Sequence, residues 1–132
     1  MAWFGKSKPS SAGNLFGAID RGTAAEIAGA LAQQDFTLIE MTNDEDGSKG
    51  AFTGEFEDYP VLVAFTSQDH AADFAGANED LLDANGEMPA FVVRGKDLLR
   101  YLPDGMGVVF NPESAEEKVI PPQLVGQIKK LA

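Results

Sequence analysis

Pro60-Val61-Leu62-Val63-Ala64-Phe65-Thr66-Ser67 holds five apolar residues in succession with no polar residue between them. A run this short, without the alternation of a half-buried strand, suits a central strand covered on both faces. Ser67, preceded by Thr66, stands where a hydroxyl caps the first turn of a helix. That helix is expected over about residues 68–75, burying Ala71, Ala72, Phe74 and Ala75.

Toward the N-terminus, Phe52, Gly54 and Phe56 alternate with Thr53, Glu55 and Glu57, the pattern of a half-buried strand. Phe36, Leu38 and Met41 mark another, and the polar stretch Asn43-Asp44-Glu45-Asp46-Gly47-Ser48 joins the two as a hairpin. Thr23-Ala24-Ala25-Glu26 has the form of a capping box, so a helix is expected from there to about Gln34, with Ala24, Ile27, Ala28 and Leu31 on one face. Residues 1–13 mix Ser, Gly, Pro and Lys without periodicity and are expected to form a flexible arm. Its Trp3 and Phe4 are disordered or fold back on the domain, or else they anchor a partner.

Toward the C-terminus, residues 78–85 have room for a helical turn or two around Leu81 and Leu82. Ala90-Phe91-Val92-Val93 reads as a strand and residues 96–102 as a short helix stopped by Pro103. Asp104-Gly105-Met106-Gly107 turns the chain into Val108-Val109-Phe110, and Asn111-Pro112 turns it again, an Asn side chain there being able to bond its own backbone two residues on. Gly105 and Gly107 permit positive φ. Lys118-Val119-Ile120 is a brief strand, and Pro121-Pro122 opens a last helix with Leu124, Val125, Ile128 and Leu131 on one face. Helices and strands are mixed rather than strictly alternating. The expected fold is α+β: residues 14–132 as a single-domain layered sandwich, with a mixed, mostly antiparallel sheet and helices packed on it.

The chain has 132 residues, 44% of them hydrophobic and nine of them Phe, enough for one core despite a net charge of −11. Residues 35–87 carry one basic and fourteen acidic side chains, while the flanking segments 1–34 and 88–132 are each +1. A field of that sign repels phosphate, so nucleic acid and anionic membrane are poor partners. There are no cysteines, which excludes disulfides, thiolate metal sites and a Cys nucleophile. No apolar stretch approaches the ~20 residues that span a bilayer. A cytoplasmic protein is expected.

The strand from Pro60 to Ser67, the run Leu98-Leu99-Arg100-Tyr101-Leu102-Pro103-Asp104-Gly105-Met106-Gly107-Val108-Val109-Phe110-Asn111-Pro112, and the start Pro121-Pro122-Gln123-Leu124-Val125 resemble, in this order, the SseB N-terminal domain family. The resemblance covers about residues 60–132, and residues 15–59 match it in outline as a helix followed by a hairpin. It implies a compact bacterial α+β domain and no established enzyme activity. Longer members carry a second, C-terminal domain that these residues do not include, so functions seated there do not carry over.

No residue set forms a recognisable catalytic, metal or cofactor site. Ser67-Gln68-Asp69-His70 holds the residue types of a triad, but a base and its orienter adjacent on one helical turn cannot both line up behind the serine. A helix cap and an exposed His70 are expected instead. One histidine without cysteine does not make a zinc site. If Gly47 takes the sixth position of a calcium loop, Thr42 and Thr53 fall where carboxylates are required. Phosphate-loop and dinucleotide patterns are absent. Thr66 and Ser67 at the end of the central strand, Arg100 and Tyr101 on the short helix, and Asn111 after another strand are candidates to converge on one rim, where open sheets hold ligands. Arg94, Lys96 and Arg100 form a basic cluster, either in internal ion pairs worth about 0–1 kcal/mol each or as a docking patch for an acidic peptide or small anion. A non-enzymatic binding or adaptor domain acting on another protein is the leading expectation. The alternative is a regulatory domain for an amino-acid-like small molecule held by Thr66, Ser67, Arg100 and Asn111.

Overall fold

In the computed structural model, which describes residues 15–42, 46–47, 49–82 and 85–131, the apolar run from Val61 to Phe65 is exposed by 3% or less at every position. It lies in strand β4 (Tyr59–Phe65), and its burial on both faces follows from the layers around it. The chain runs α1 (15–21), α2 (Ala24–Ala32), β1 (Asp35–Thr42), β2 (Lys49–Ala51), β3 (Thr53–Phe56), β4, then α3 (Gln68–Ala77) and a 3₁₀ turn (Glu79–Leu81). It continues with β5 (Ala90–Arg94), α4 (Gly95–Leu98) passing into a second 3₁₀ turn (Leu99–Tyr101), β6 (Gly107–Phe110), β7 (Lys118–Ile120) and α5 (Pro122–Leu131). The expected arm with Trp3 and Phe4, and most of the 43–48 turn, lie outside the described residues.

The strands form one seven-stranded sheet that is antiparallel except where β4 pairs parallel with β6. The β1–β2 hairpin forms as expected, and the second strand then forks: β2 pairs with β1 while β3 pairs with β4. Phe52 sits at the fork, its N–H donating to Ile39 O at 2.8 Å and its carbonyl accepting from Val63 N–H at 3.3 Å. β1 and β4 pair directly only at Thr37 and Leu38. Beyond β1, β5 is an outer strand, and β7 closes the opposite side.

The two-residue period of the strands divides the core. Leu62 and Ala64 join Phe36, Leu38, Val93, Val108 and Phe110 beneath α1, α2, α4 and α5. Val61, Val63 and Phe65 join Ile39 and Val109 on the other face, which α3 covers through Ala71 and Phe74. Among the described residues several helices cover one face and α3 is the one α-helix on the other, so the second face is open toward β5. Ala72, expected in the core, is accordingly exposed.

Local signals were followed unevenly. A helix precedes the expected first one: Leu15 and Ala18 of α1 are 0% and 1% exposed. Thr23 has the extended backbone of an N-cap, but its side chain makes no cap hydrogen bond, and Glu26 pairs with Arg21 at 3.0 Å instead of closing a capping box. Gly105 does adopt positive φ, at 87°, whereas Gly107 serves close approach: a Cβ there would lie 2.6 Å from Ile120 O. Gly95 is tighter still, since a Cβ would overlap Leu31 O at 1.5 Å where α4 starts against the end of α2.

Candidate functional site

The parallel strands β4 and β6 end side by side, and the chain leaves each in a different direction. Asn111 takes up the turn with φ of 52°, a conformation that asparagine tolerates better than most residues. It is 0% exposed. Its N–H donates to Ala64 O at 2.9 Å. Its Oδ1 accepts from Thr66 N–H and its Nδ2 donates to Thr66 Oγ1, each at 3.0 Å. Thr66 and Asn111 do meet, as expected from their strand-end positions, but Asn111 is an interior fastening between two strands and presents nothing to a rim. Its side chain bonds across the sheet rather than to its own backbone.

Ser67 caps α3 as expected, its Oγ accepting from His70 N–H at 3.2 Å. The same oxygen lies 2.8 Å from His70 Nδ1, and His70 Nε2 lies 3.4 Å from Glu116 Oε1 in the loop between β6 and β7. A serine, a histidine and a carboxylate are thus in line, with Glu116 and not Asp69 as the acid. The hydroxyl is engaged twice within its own helical turn, so the line ties the start of α3 to the β6–β7 loop. His70 is half-buried, with 24% of its side chain exposed, rather than exposed.

The remaining candidates gather around β5. Its residues alternate between the covered face, where Val93 is buried, and the α3 face, where Ala90, Val92 and Arg94 are exposed. Val92 is 54% exposed, a large value for an apolar strand residue. It borders three hollows. The largest, about 610 Å³, runs between β5 and α3 and is lined by Ala71, Ala75, Gly76, Met88, Ala90 and Val92 among others. A second, about 560 Å³, lies at the start of α3 and is lined by Gln34, Thr37, Thr66, Ser67 and Asp69. A third, about 380 Å³, lies toward α4 and is lined by Arg94, Asp97, Arg100 and Tyr101.

The six predicted residues therefore divide into Thr66 and Ser67 at one hollow, Arg94, Arg100 and Tyr101 at another, and Asn111 in the interior. Arg100 meets Asp97 at 3.7 Å, with 81% of its side chain exposed. Tyr101, 41% exposed, packs its ring 5.9 Å from that of Phe91. Arg94 and Lys96 form no ion pair with another described residue, contrary to the expectation of internal pairing. Val92, Thr37 and Gln34 were missed. Thr37 is 6% exposed yet reaches two of the hollows, and Gln34 Nε2 is buried without a hydrogen-bond partner. Val92 carried a signal, since a central valine in a run of four apolar residues is costly on an open edge. Among the described residues no group of three or more His, Asp and Glu could hold a metal, and no helix is long and apolar enough to cross a membrane.

Compared with known families, residues 17–127 match the model described as SseB protein N-terminal domain. The match takes in the helix and hairpin that precede the more specific motifs. No curated protein and no solved structure matches the chain.

Proposed function

The chain belongs to the SseB family, and from that premise we propose that this domain is a non-enzymatic protein-binding module, an adaptor whose contact surface is the outer edge of β5 with the hollows beside it. The observation that carries this is the 54% exposure of Val92 at the middle of a strand that, among the described residues, is paired on one side only. Exposed apolar surface rimmed by polar groups is the common mark of a protein contact, and Tyr and Arg, as at 101, 94 and 100, are the residue types enriched in binding hot spots. The net charge of −11 disfavours nucleic acid and anionic lipid as alternatives. The cysteine-free sequence suits a reducing compartment, and we place the activity in the cytoplasm.

Affinity capture from the source cell tests the proposal with wild type, Val92→Lys, Arg100→Glu and, as a control on the far helix, Lys130→Glu. The same protein should be retained by wild type and control and lost with the β5-side variants. Equal retention by all four, or no specific protein with any, would reject it.

A second reading rests on a separate observation. Gln34 Nε2 is an unpartnered buried donor beside the 560 Å³ hollow that also holds Thr37, Thr66 and Ser67. A small molecule bearing acceptor oxygens, such as an amino acid, would satisfy it. Asn111 and Arg100 do not line that hollow. Thermal-shift screening against amino acids discriminates, because a ligand at 100 times its Kd stabilises by about 2.7 kcal/mol, and Gln34→Leu should abolish any shift found.

A further inference from the structure

Resting on the protein-binding reading, we infer that the partner enters as an extended segment added to the edge of β5, with apolar side chains toward α3 and acidic side chains toward Arg100 on the α4 side. The hydrogen-bond parity of β5 supplies the first support. Glu40 N–H donates to Pro89 O at 2.9 Å and Gly95 N–H donates to Gln34 O at 2.8 Å. Between these bonds the register pairs Leu38 with Phe91 and Phe36 with Val93. In an antiparallel ladder the residues of such pairs exchange both bonds, so Phe91 and Val93 turn their backbone groups toward β1. Ala90, Val92 and Arg94 therefore turn theirs away, and among the described residues no strand receives them.

Sheet edges are ordinarily blunted by brevity, lysine, proline, a bulge or a covering element. The opposite edge obeys this: β7 has three residues, and its Lys118 is tied to Asp20 of α1 at 2.6 Å. β5 has an uninterrupted five-residue register with β1, contains no proline, and carries its one charge at its last residue. Strand addition uses such an edge: main-chain hydrogen bonds hold the incoming segment, and alternate side chains enter flanking pockets.

The hollows stand on the two sides that alternate side chains would reach. Toward α3 the lining of Ala71, Ala75 and Gly76 leaves space for branched apolar side chains, with Met88 as an adaptable neighbour. Toward α4 stand Arg100, 81% exposed at its side chain, and Tyr101, with Asp97 the one acid lining that hollow. Arg94 and Lys96 add two positive charges beside the single carboxylate of Asp35, which faces Arg94 across the β1–β5 register and forms no ion pair with either. The charge selects the occupant. A second copy joined about Val92 would bring two such cationic clusters together and set two bodies of net charge −11 against one another. An acidic segment meets three cations against two local carboxylates, Asp35 and Asp97, while acids farther away are screened over a length of about 8 Å at physiological salt.

A short synthetic peptide alternating valine with glutamate, blocked at both ends, is the probe, titrated into the ¹⁵N-labelled chain. Shifts and new exchange protection are expected at the Ala90, Val92 and Arg94 amides. A valine–lysine counterpart should bind about tenfold or more weakly, and N-methylation of the peptide on the amides facing β5 should abolish binding. Shifts centred elsewhere, equal binding of the lysine peptide, or indifference to N-methylation would overturn the inference, as would a self-association that protects the same amides without peptide. Val92→Pro separates this inference from the broader reading, since it removes an N–H that the fold itself does not use. A captured partner retained by folded Val92→Pro but lost by Val92→Lys would leave protein binding standing and overturn strand addition.

Discussion

Asn111 is held at φ 52° with both ends of its amide bonded to Thr66, so two separable costs attend its replacement. Asn111→Ala leaves the Thr66 N–H unpaired in a part-buried site and retains the left-handed backbone, and should cost about 2–4 kcal/mol. Asn111→Gly loses the same bonds without the steric penalty at positive φ, and should be less damaging by about 1 kcal/mol. Chemical denaturation of both variants measures the difference, and equal losses would mean that the φ carries no penalty. Asn111-Pro112 was legible as a turn. The true partner of its amide was not, because Thr66 lies 45 positions away and only the parallel pairing of β4 and β6 brings it near. Ser67 was legible as a cap because the N–H it accepts belongs to His70, three residues on.

At the scale of elements, α1 contradicts the expectation that the packed chain begins its helices at Thr23. Leu15, Ala18 and Ile19 stand at helical spacing, but so brief a stripe beside a Gly- and Ser-rich stretch is a weak signal until the sheet supplies a surface, as where Phe16 meets Phe110 of β6. Leu15 is 0% exposed in the larger core, so Leu15→Ala should cost about 2–5 kcal/mol in denaturant unfolding. A loss under 1 kcal/mol would show that α1 is only loosely attached. The link between α1 and α2 is checked separately. Hydrogen bonding from Arg21 holds the Glu26 carboxyl below its ordinary pKa. A depressed carboxylate contributes stability above its unfolded pKa and loses it as pH falls through the folded one. Arg21→Gln should therefore move the Glu26 titration, followed by NMR, back up, and an unmoved titration would show that the pair does not persist in solution. The central strand was the most legible element, since five successive apolar residues could be satisfied only between two layers. The fork at Phe52 was not, because alternation reports which face is buried and not which neighbour accepts the hydrogen bonds.

Among the described residues, helices accumulate on one side of the sheet and α3 is the one α-helix on the other, and that asymmetry creates the proposed contact surface. The sequence showed the basic cluster of Arg94, Lys96 and Arg100 and its two possible uses. It could not show that the strand between Ala90 and Arg94 is outermost, since strand order is a property of the assembled sheet. Once β5 is placed there, the exposed Val92, the small-residue lining of α3 and the cations toward α4 fall along a single edge. The open edge is measured most directly by residue-resolved hydrogen exchange on the free chain. Amides of Phe91 and Val93 should be protected and those of Ala90, Val92 and Arg94 should exchange rapidly, whereas protection of all five would mean that the edge is already covered and has no segment to receive.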